Sequence, residues 1–204
     1  MDLYLFDFDK TLYAYDFHYR LPALALAAET SQYQLAKRWW ADGYELRAEA
    51  GEWRDAEDYL DEFARVTESK RITLDQWAHA RMLASTPIPG SVAALRRAST
   101  LGTVSVLSNN PSVFAEALSI MAPDVCAIVG DNRLVSAKLG VRKPDPRVFR
   151  LALDHFGADA ENTFFADDSQ ENVDGALSLG IHAHHFTTVD LLDDAMAAFE
   201  RRSR

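Results

Sequence analysis

The chain has 204 residues, 48% of them hydrophobic and 25% charged, which is enough for one well-buried core with a smaller lobe and unlike a disordered chain. With 21 Lys and Arg against 31 Asp and Glu the formal net charge is −10, a sign that repels nucleic-acid backbones and anionic membranes. It leaves a small phosphorylated partner open, because one local cation can outweigh a modest global field. No apolar run approaches the ~20 residues of a membrane helix, and the single cysteine, Cys126, excludes an intramolecular disulfide.

In chain order, Met1-Asp2 leads straight into an apolar run without a basic start or cleavable stretch, so a cytoplasmic protein is expected. Residues 3–8 (Leu-Tyr-Leu-Phe-Asp-Phe) are too few for a helix, rich in aromatics and stopped by Asp9-Lys10-Thr11, which predicts a buried strand. Residues 15–86 then read as all-helical. Ala56, Tyr59, Leu60 and Phe63 form one apolar stripe, and Thr73 with Gln76 fits a capping box flanked by Ile72 and Trp77. Trp39, Trp40 and Trp77 are expected in the core of this insert, which also holds Trp53. Tyr13, Tyr15, Phe17, His18 and Tyr19 either roof a site or pack the insert onto the rest.

Pro87-Ile88-Pro89-Gly90 marks a change of pattern. Apolar runs at residues 103–107, 125–129, 163–166 and 181–186 predict further strands, with Cys126 a buried thiol in the second. Between them lie helical patterns: one opened by Asn110-Pro111 as cap and first residue, one from Asp145-Pro146 to a stop at Gly157, and one capped by Ser169 and ending at Gly180. His182, His184 and His185 alternate across a strand and are expected at a surface or strand end rather than on a metal. Strand alternating with helix predicts an α/β fold: a Rossmann-like parallel sheet from residues 1–14 and 87–204, with an all-helical cap domain of residues 15–86 inserted after the first strand.

In such sheets ligands bind beyond the carboxyl ends of the strands. Asp7 and Asp9 follow the first strand, Ser108-Asn109 the second, Lys143 precedes a helix start, and Asp167-Asp168 close a later strand. Brought together, these ends place four carboxylates around one ammonium and one hydroxyl. Like charges about 4 Å apart repel by roughly 4 kcal/mol per pair at an effective dielectric near 20. One lysine does not offset that, whereas a divalent cation does, and an all-oxygen set suits Mg²⁺ over zinc. Taken alone, Asp-x-Asp and Asp-Asp are usually solvated turns; their order along the chain is what carries the reading.

Phe6-Asp7-Phe8-Asp9-Lys10-Thr11-Leu12, Leu107-Ser108-Asn109-Asn110, Arg142-Lys143-Pro144-Asp145-Pro146 and Phe165-Ala166-Asp167-Asp168-Ser169-Gln170-Glu171-Asn172 resemble the four motifs of the haloacid dehalogenase-like hydrolases (HAD superfamily). The position of the helical insert resembles the subgroup of small-molecule phosphatases, phosphomutases and dehalogenases. The resemblance implies Asp7 as nucleophile carrying an aspartyl-phosphate, and Asp9 as general acid and then base. Mg²⁺ would be held by Asp7, the Asp9 backbone carbonyl and Asp168, with Asp167 near the ion or on Lys143. Ser108 and the Asn109 backbone would hold phosphoryl oxygens, Lys143 would offset charge and Thr11 would steady the loop. Lys10 stands where many relatives carry Gly, and is expected to point to solvent. Ala166 stands where Gly or Val is common.

The function expected is Mg²⁺-dependent hydrolysis of a small phosphomonoester, a sugar phosphate or nucleotide, by a monomer or homodimer that binds neither nucleic acid nor membrane. The alternatives are a phosphomutase of the β-phosphoglucomutase type, a 2-haloacid dehalogenase, and a non-catalytic binding protein on the same fold. Asp9 disfavours the dehalogenase, since a halide leaves without a proton.

Overall fold

The computed structural model describes residues 2–202. Strand β1 (Leu3–Phe6) is fully buried and central. The chain then forms β2 (Tyr13–Tyr15) and a run of helices: α1 (Phe17–Ala27), α2 (Gln32–Leu35) continuing into a π-helical segment (Ala36–Ala41), α3 (Tyr44–Glu49), α4 (Ala56–Thr67) and α5 (Leu74–Ala84). Strand β3 (Ser85–Pro87) pairs antiparallel with β2, Tyr15 opposite Ser85 and Tyr13 opposite Pro87, so the two crossings between insert and sheet form one ribbon.

The rest alternates: α6 (Pro89–Ala98), β4 (Thr103–Ser108), α7 (Ser112–Met121), α8 (Pro123–Val129), β5 (Arg133–Val135), α9 (Ser136–Leu139), α10 (Pro146–Phe156), β6 (Thr163–Asp167), α11 (Gln170–Leu177), β7 (His182–His185) and α12 (Val189–Arg202). The sheet is parallel with order β5-β4-β1-β6-β7. The chain builds outward from β1 through β4 to β5, then returns to the other side of β1 for β6 and β7. That reversal of strand order places the ends of β1, β4 and β6 side by side, where an open α/β sheet forms its crevice.

Period-two alternation explains the two-sided burial. Tyr4, Phe6, Val104, Val106 and Phe164 pack on one face with Leu95, Phe114, Val125 and Met196, while Leu3, Leu5, Leu107 and Phe165 pack on the other with Phe149, Ala152 and Ala176. The first cluster runs on through Phe8 and Tyr13 into the insert, where Trp39 meets Tyr44, Tyr59 and Phe63 with ring centroids 5.0–5.5 Å apart. The α4 stripe (Ala56, Tyr59, Leu60, Phe63) is buried, and the Thr73–Gln76 capping box is present with Ile72 and Trp77 both buried beside it. Inside this apolar insert the Glu45 carboxylate is satisfied by Trp39 Nε1 at 2.6 Å, the Tyr59 hydroxyl at 2.9 Å and the Arg20 guanidinium at 3.3 Å.

Two sequence expectations are corrected. Residues 125–129 form part of helix α8, not a strand; Pro123 opens the helix, and a short buried apolar run has no periodicity that separates the two states. The edge strand is instead β5, and Cys126 is partly buried with Arg133 Nη1 3.7 Å from its sulfur. Asn110 does not cap α7, whose capping position is Pro111. Its side chain turns into the crevice.

Gly175 in α11 touches the loop that carries Lys143: a Cβ there would sit 2.4 Å from the Pro144 carbonyl oxygen and 3.2 Å from the Phe149 ring. Gly175→Ala is expected to cost about 1–3 kcal/mol through this overpacking, read from the urea midpoint of unfolding.

Candidate active site

The amide of Asp7 still pairs with the β6 carbonyl of Ala166 at 2.9 Å, so its carboxylate projects from the very end of the sheet. The turn that follows folds back on itself, Leu12 and Tyr13 both donating to the Phe8 carbonyl at 3.0 Å. Lys10 sits at φ +61°, in the left-handed region that favours glycine, and its side chain is exposed, as expected.

Lys143 is buried to 1% exposure and spends its three N–H groups on Asp7 Oδ1 at 2.8 Å, Asp167 Oδ2 at 2.6 Å and the Leu107 carbonyl at 2.7 Å. The three acceptors come from the ends of β1, β6 and β4. Asp167 is held from its other sides by the Ser169 amide at 2.8 Å and by Asn172 Nδ2 at 2.9 and 3.0 Å. Asn109 clamps the Lys143 backbone, accepting from its N–H at 2.9 Å and donating to its carbonyl at 2.8 Å.

Oxygens of Asp7, Asp167 and Asp168 lie within 4.8 Å of one another. Burial, then the neighbouring charges of Asp167 and Asp9, push the Asp7 carboxyl up to about 7 against the pull of Lys143. Burial and Asp167 also raise Asp168. Burial alone would depress the Lys143 ammonium, yet the Asp7 and Asp167 charges more than offset it and raise the group. Burial is the larger cause on the two aspartates, and the charge contributions point the same way: three carboxylates face a single ammonium, and a further positive charge is favoured among them.

The Asp9 side chain, 23% exposed, faces a cleft of about 420 Å³ between sheet and insert. Arg81 Nη2 of α5 lies 2.7 and 2.9 Å from its two oxygens, and Asn110 Nδ2 donates to it at 3.0 Å while also donating to Ser108 Oγ at 3.0 Å. Tyr15, Phe17, Trp40 and Arg20 form the insert side of this cleft. Glu49, which also lines it, pairs with Arg142 at 2.7 Å, and burial, with the nearby charge of Glu45, raises the Glu49 carboxyl to about 7. Thr11 is fully buried and its hydroxyl has no partner among the described residues.

Residues 1–180, which contain every one of these strand-end groups, match the family described as haloacid dehalogenase-like hydrolase. The chain belongs to that family. It is 28% identical over 160 residues to a phosphatase of Mycobacterium tuberculosis, covering 74% of this chain and 71% of that protein. Among solved structures it resembles a predicted HAD-like hydrolase from Porphyromonas gingivalis (TM-score 0.77, 19% identity, 98% of each chain). It also resembles a HAD family enzyme from Bacteroides thetaiotaomicron solved with magnesium and inorganic phosphate (TM-score 0.71, 20% identity, 92% of this chain and 94% of that one).

Within this HAD hydrolase, the structure gathers Asp7, Lys143, Asp167 and Asp168 into one cluster and places Asp9, Ser108 and Asn109 around it. Asp167 lies on Lys143, one of the two places expected for it. The Asn109 side chain is committed to Lys143, which leaves only its backbone for an anion. His185 Nε2 meets the Asp168 carbonyl at 2.9 Å, a contact at the strand end. Arg81 is absent from the sequence reading, Asn110 enters it as a helix cap, and Asn172 stands in a motif without a role of its own. Arg81 alone left a signal: it interrupts the apolar face of α5 four residues after Trp77 and three before Ala84.

Folding raises the proton affinity of Asp7, so its contribution to stability is fully present below the ordinary carboxylate value of 3.8 and is lost as pH rises through about 7. In chelator, the Tm of the wild type relative to Asp7→Asn is expected to fall steadily between pH 4.5 and 7.5. Lys143→Met leaves two buried carboxylates uncompensated and is expected to cost about 3–5 kcal/mol in denaturant unfolding.

Proposed function

We propose that this HAD hydrolase is a Mg²⁺-dependent phosphatase that cleaves a small phosphomonoester through an aspartyl-phosphate on Asp7. The observation that carries the reading is the Asp7 carboxylate, held at 2.8 Å by Lys143 within a three-carboxylate cluster, with Asp9 two residues later on the substrate cleft. The phosphatase relative from Mycobacterium tuberculosis supports the same reaction class.

The donors fit a hard divalent cation: the Asp7 and Asp168 carboxylates lie in a cluster with excess negative charge, and the Asp9 backbone carbonyl would add a third oxygen. A bound Mg²⁺ would supply charge neutralisation for the phosphoryl oxygens and the nucleophile. Lys143 holds one Asp7 oxygen, fixing the direction of the other toward phosphorus. As the Asp7–phosphorus bond forms, the bond to the leaving oxygen breaks and Asp9 delivers a proton to that oxygen. Asp9 then takes a proton from the water that attacks phosphorus and frees Asp7. Ser108 Oγ and the Asn109 backbone hold phosphoryl oxygens, and Thr11 steadies the turn that carries the two aspartates. Phosphoryl transfer draws most of its acceleration from such alignment and charge stabilisation.

The substrate we infer is a small phosphorylated metabolite, in keeping with a cleft of about 420 Å³. The net charge of −10 argues against a nucleic acid. No single helix among the described residues is long and apolar enough to cross a membrane.

The test is phosphate release from a panel of sugar phosphates, nucleotides and phospho-acids. Turnover is expected with Mg²⁺, at background with chelator or in Asp7→Asn, and lowered about 10²- to 10⁴-fold on alkyl phosphates in Asp9→Asn. Undiminished turnover by Asp7→Asn, or halide release from a haloacid in chelator, would refute the reading.

A further inference from the structure

We infer that Arg81 is a positioning residue for Asp9: the inserted helices supply the guanidinium that aims the core's general acid at the leaving group. This rests on the reading of Asp9 as that acid.

Arg81 enters from the last turn of α5, four residues before the second strand of the β2–β3 ribbon that joins insert to sheet begins at Ser85. It is 2% exposed, yet Asp9 is its only ion-pair partner among the described residues. Its guanidinium lies 4.4 Å from the Tyr15 ring centroid and 5.3 Å from that of Phe114, so residues of the ribbon and of core helix α7 fix where it sits. Its Nε is buried without an acceptor. A guanidinium buried at this depth with one half-committed partner is a poor device for stability, because apolar replacements of buried ion pairs are often neutral or better. What the arrangement does achieve is directional. Arg81 reaches both Asp9 oxygens from the insert and Asn110 reaches one from the core, leaving the remaining carboxylate surface on the cleft. Lys143 plays the matching part for Asp7 from within the sheet. The nucleophile is thus aimed by the core alone, and the acid by core and insert together.

General-acid aim matters only when the leaving oxygen needs a proton. Formation of the Asp7–phosphorus bond and breakage of the ester bond require proton delivery for an alkyl phosphate, whereas a p-nitrophenolate departs without one. The discriminating quantity is kcat/KM, which ends at the first phosphoryl transfer and omits later hydrolysis of the intermediate. The experiment measures it for glycerol phosphate and p-nitrophenyl phosphate, with Mg²⁺, in wild type, Arg81→Met, Arg81→Lys, Asp9→Asn and the double variant Asp9→Asn/Arg81→Met. Expected are a loss of about 10²-fold on the alkyl ester in Arg81→Met, less than about threefold on the aryl ester, and a smaller alkyl loss in Arg81→Lys, which keeps the charge but not the planar shape. The double variant should be no slower than Asp9→Asn on the alkyl ester.

Equal losses on both esters, or a double variant that loses the product of the single effects, would overturn the inference. If Arg81→Met does not fold, Arg81→Lys decides by the same ratio of alkyl to aryl loss. A wild type that cleaves neither ester and no member of the phosphate-release panel defeats the phosphatase reading itself; one that cleaves a panel member is tested with that alkyl ester and with an aryl phosphate. An Asp9→Asn variant without the alkyl–aryl split defeats the acid assignment. A split in Asp9→Asn that is absent from both Arg81 variants defeats the role of Arg81 alone.

Discussion

The Lys143 ammonium is bound by Asp7, Asp167 and the Leu107 carbonyl, acceptors at the ends of three strands, at 2.6–2.8 Å. An ammonium at 1% exposure is tolerable only because all its donors are used and two carboxylates offset its charge. The same arrangement leaves a surplus of negative charge, which together with burial raises the proton affinity of both Asp7 and Asp168. A cluster poised in this way attracts either protons or a hard cation. Neutral groups brace it: Asn172 and the Ser169 amide donate to Asp167, and the Asn109 side chain both accepts from and donates to the Lys143 backbone.

The insert extends this logic. Two ion pairs cross between it and the sheet domain beside the cleft, Arg81 with Asp9 and Glu49 with Arg142. Arg142 directly precedes Lys143, so one crossing touches the segment carrying the cluster's cation and the other the residue two places after Asp7. The apolar packing behind them is continuous, from Phe8 and Phe114 to Trp39 and Trp77. Seating of the insert and geometry of the acidic turn are therefore linked mechanically through α5 and the β2–β3 ribbon.

Much of this architecture was legible in the residues. The strands at β1, β4, β6 and β7, the α4 stripe, the Thr73 capping box and the Gly157 stop (φ +59°) all rest on local periodicity and local backbone chemistry, which a sequence displays directly. Residues 125–129 escaped because five apolar residues bury equally well as helix or strand; Pro123 opens the helix, and Val125 and Val129 are buried in the core on that helix. Asn110 escaped because an Asn before Pro satisfies the local rule for a helix cap, while a stronger pull, the Asp9 carboxylate 101 residues away in sequence, claimed its amide.

The acidic and basic residues at strand ends, together with their order, carry the resemblance to the HAD hydrolases, and a parallel sheet of this class forms its crevice at those ends. What they leave open is the division of labour between neighbours. That Asp167 serves Lys143, that Asn109 braces a backbone, and that Arg81 of the insert grips Asp9 are all long-range pairings. Each depends on where two distant segments come to rest, and no local pattern of residues encodes that distance.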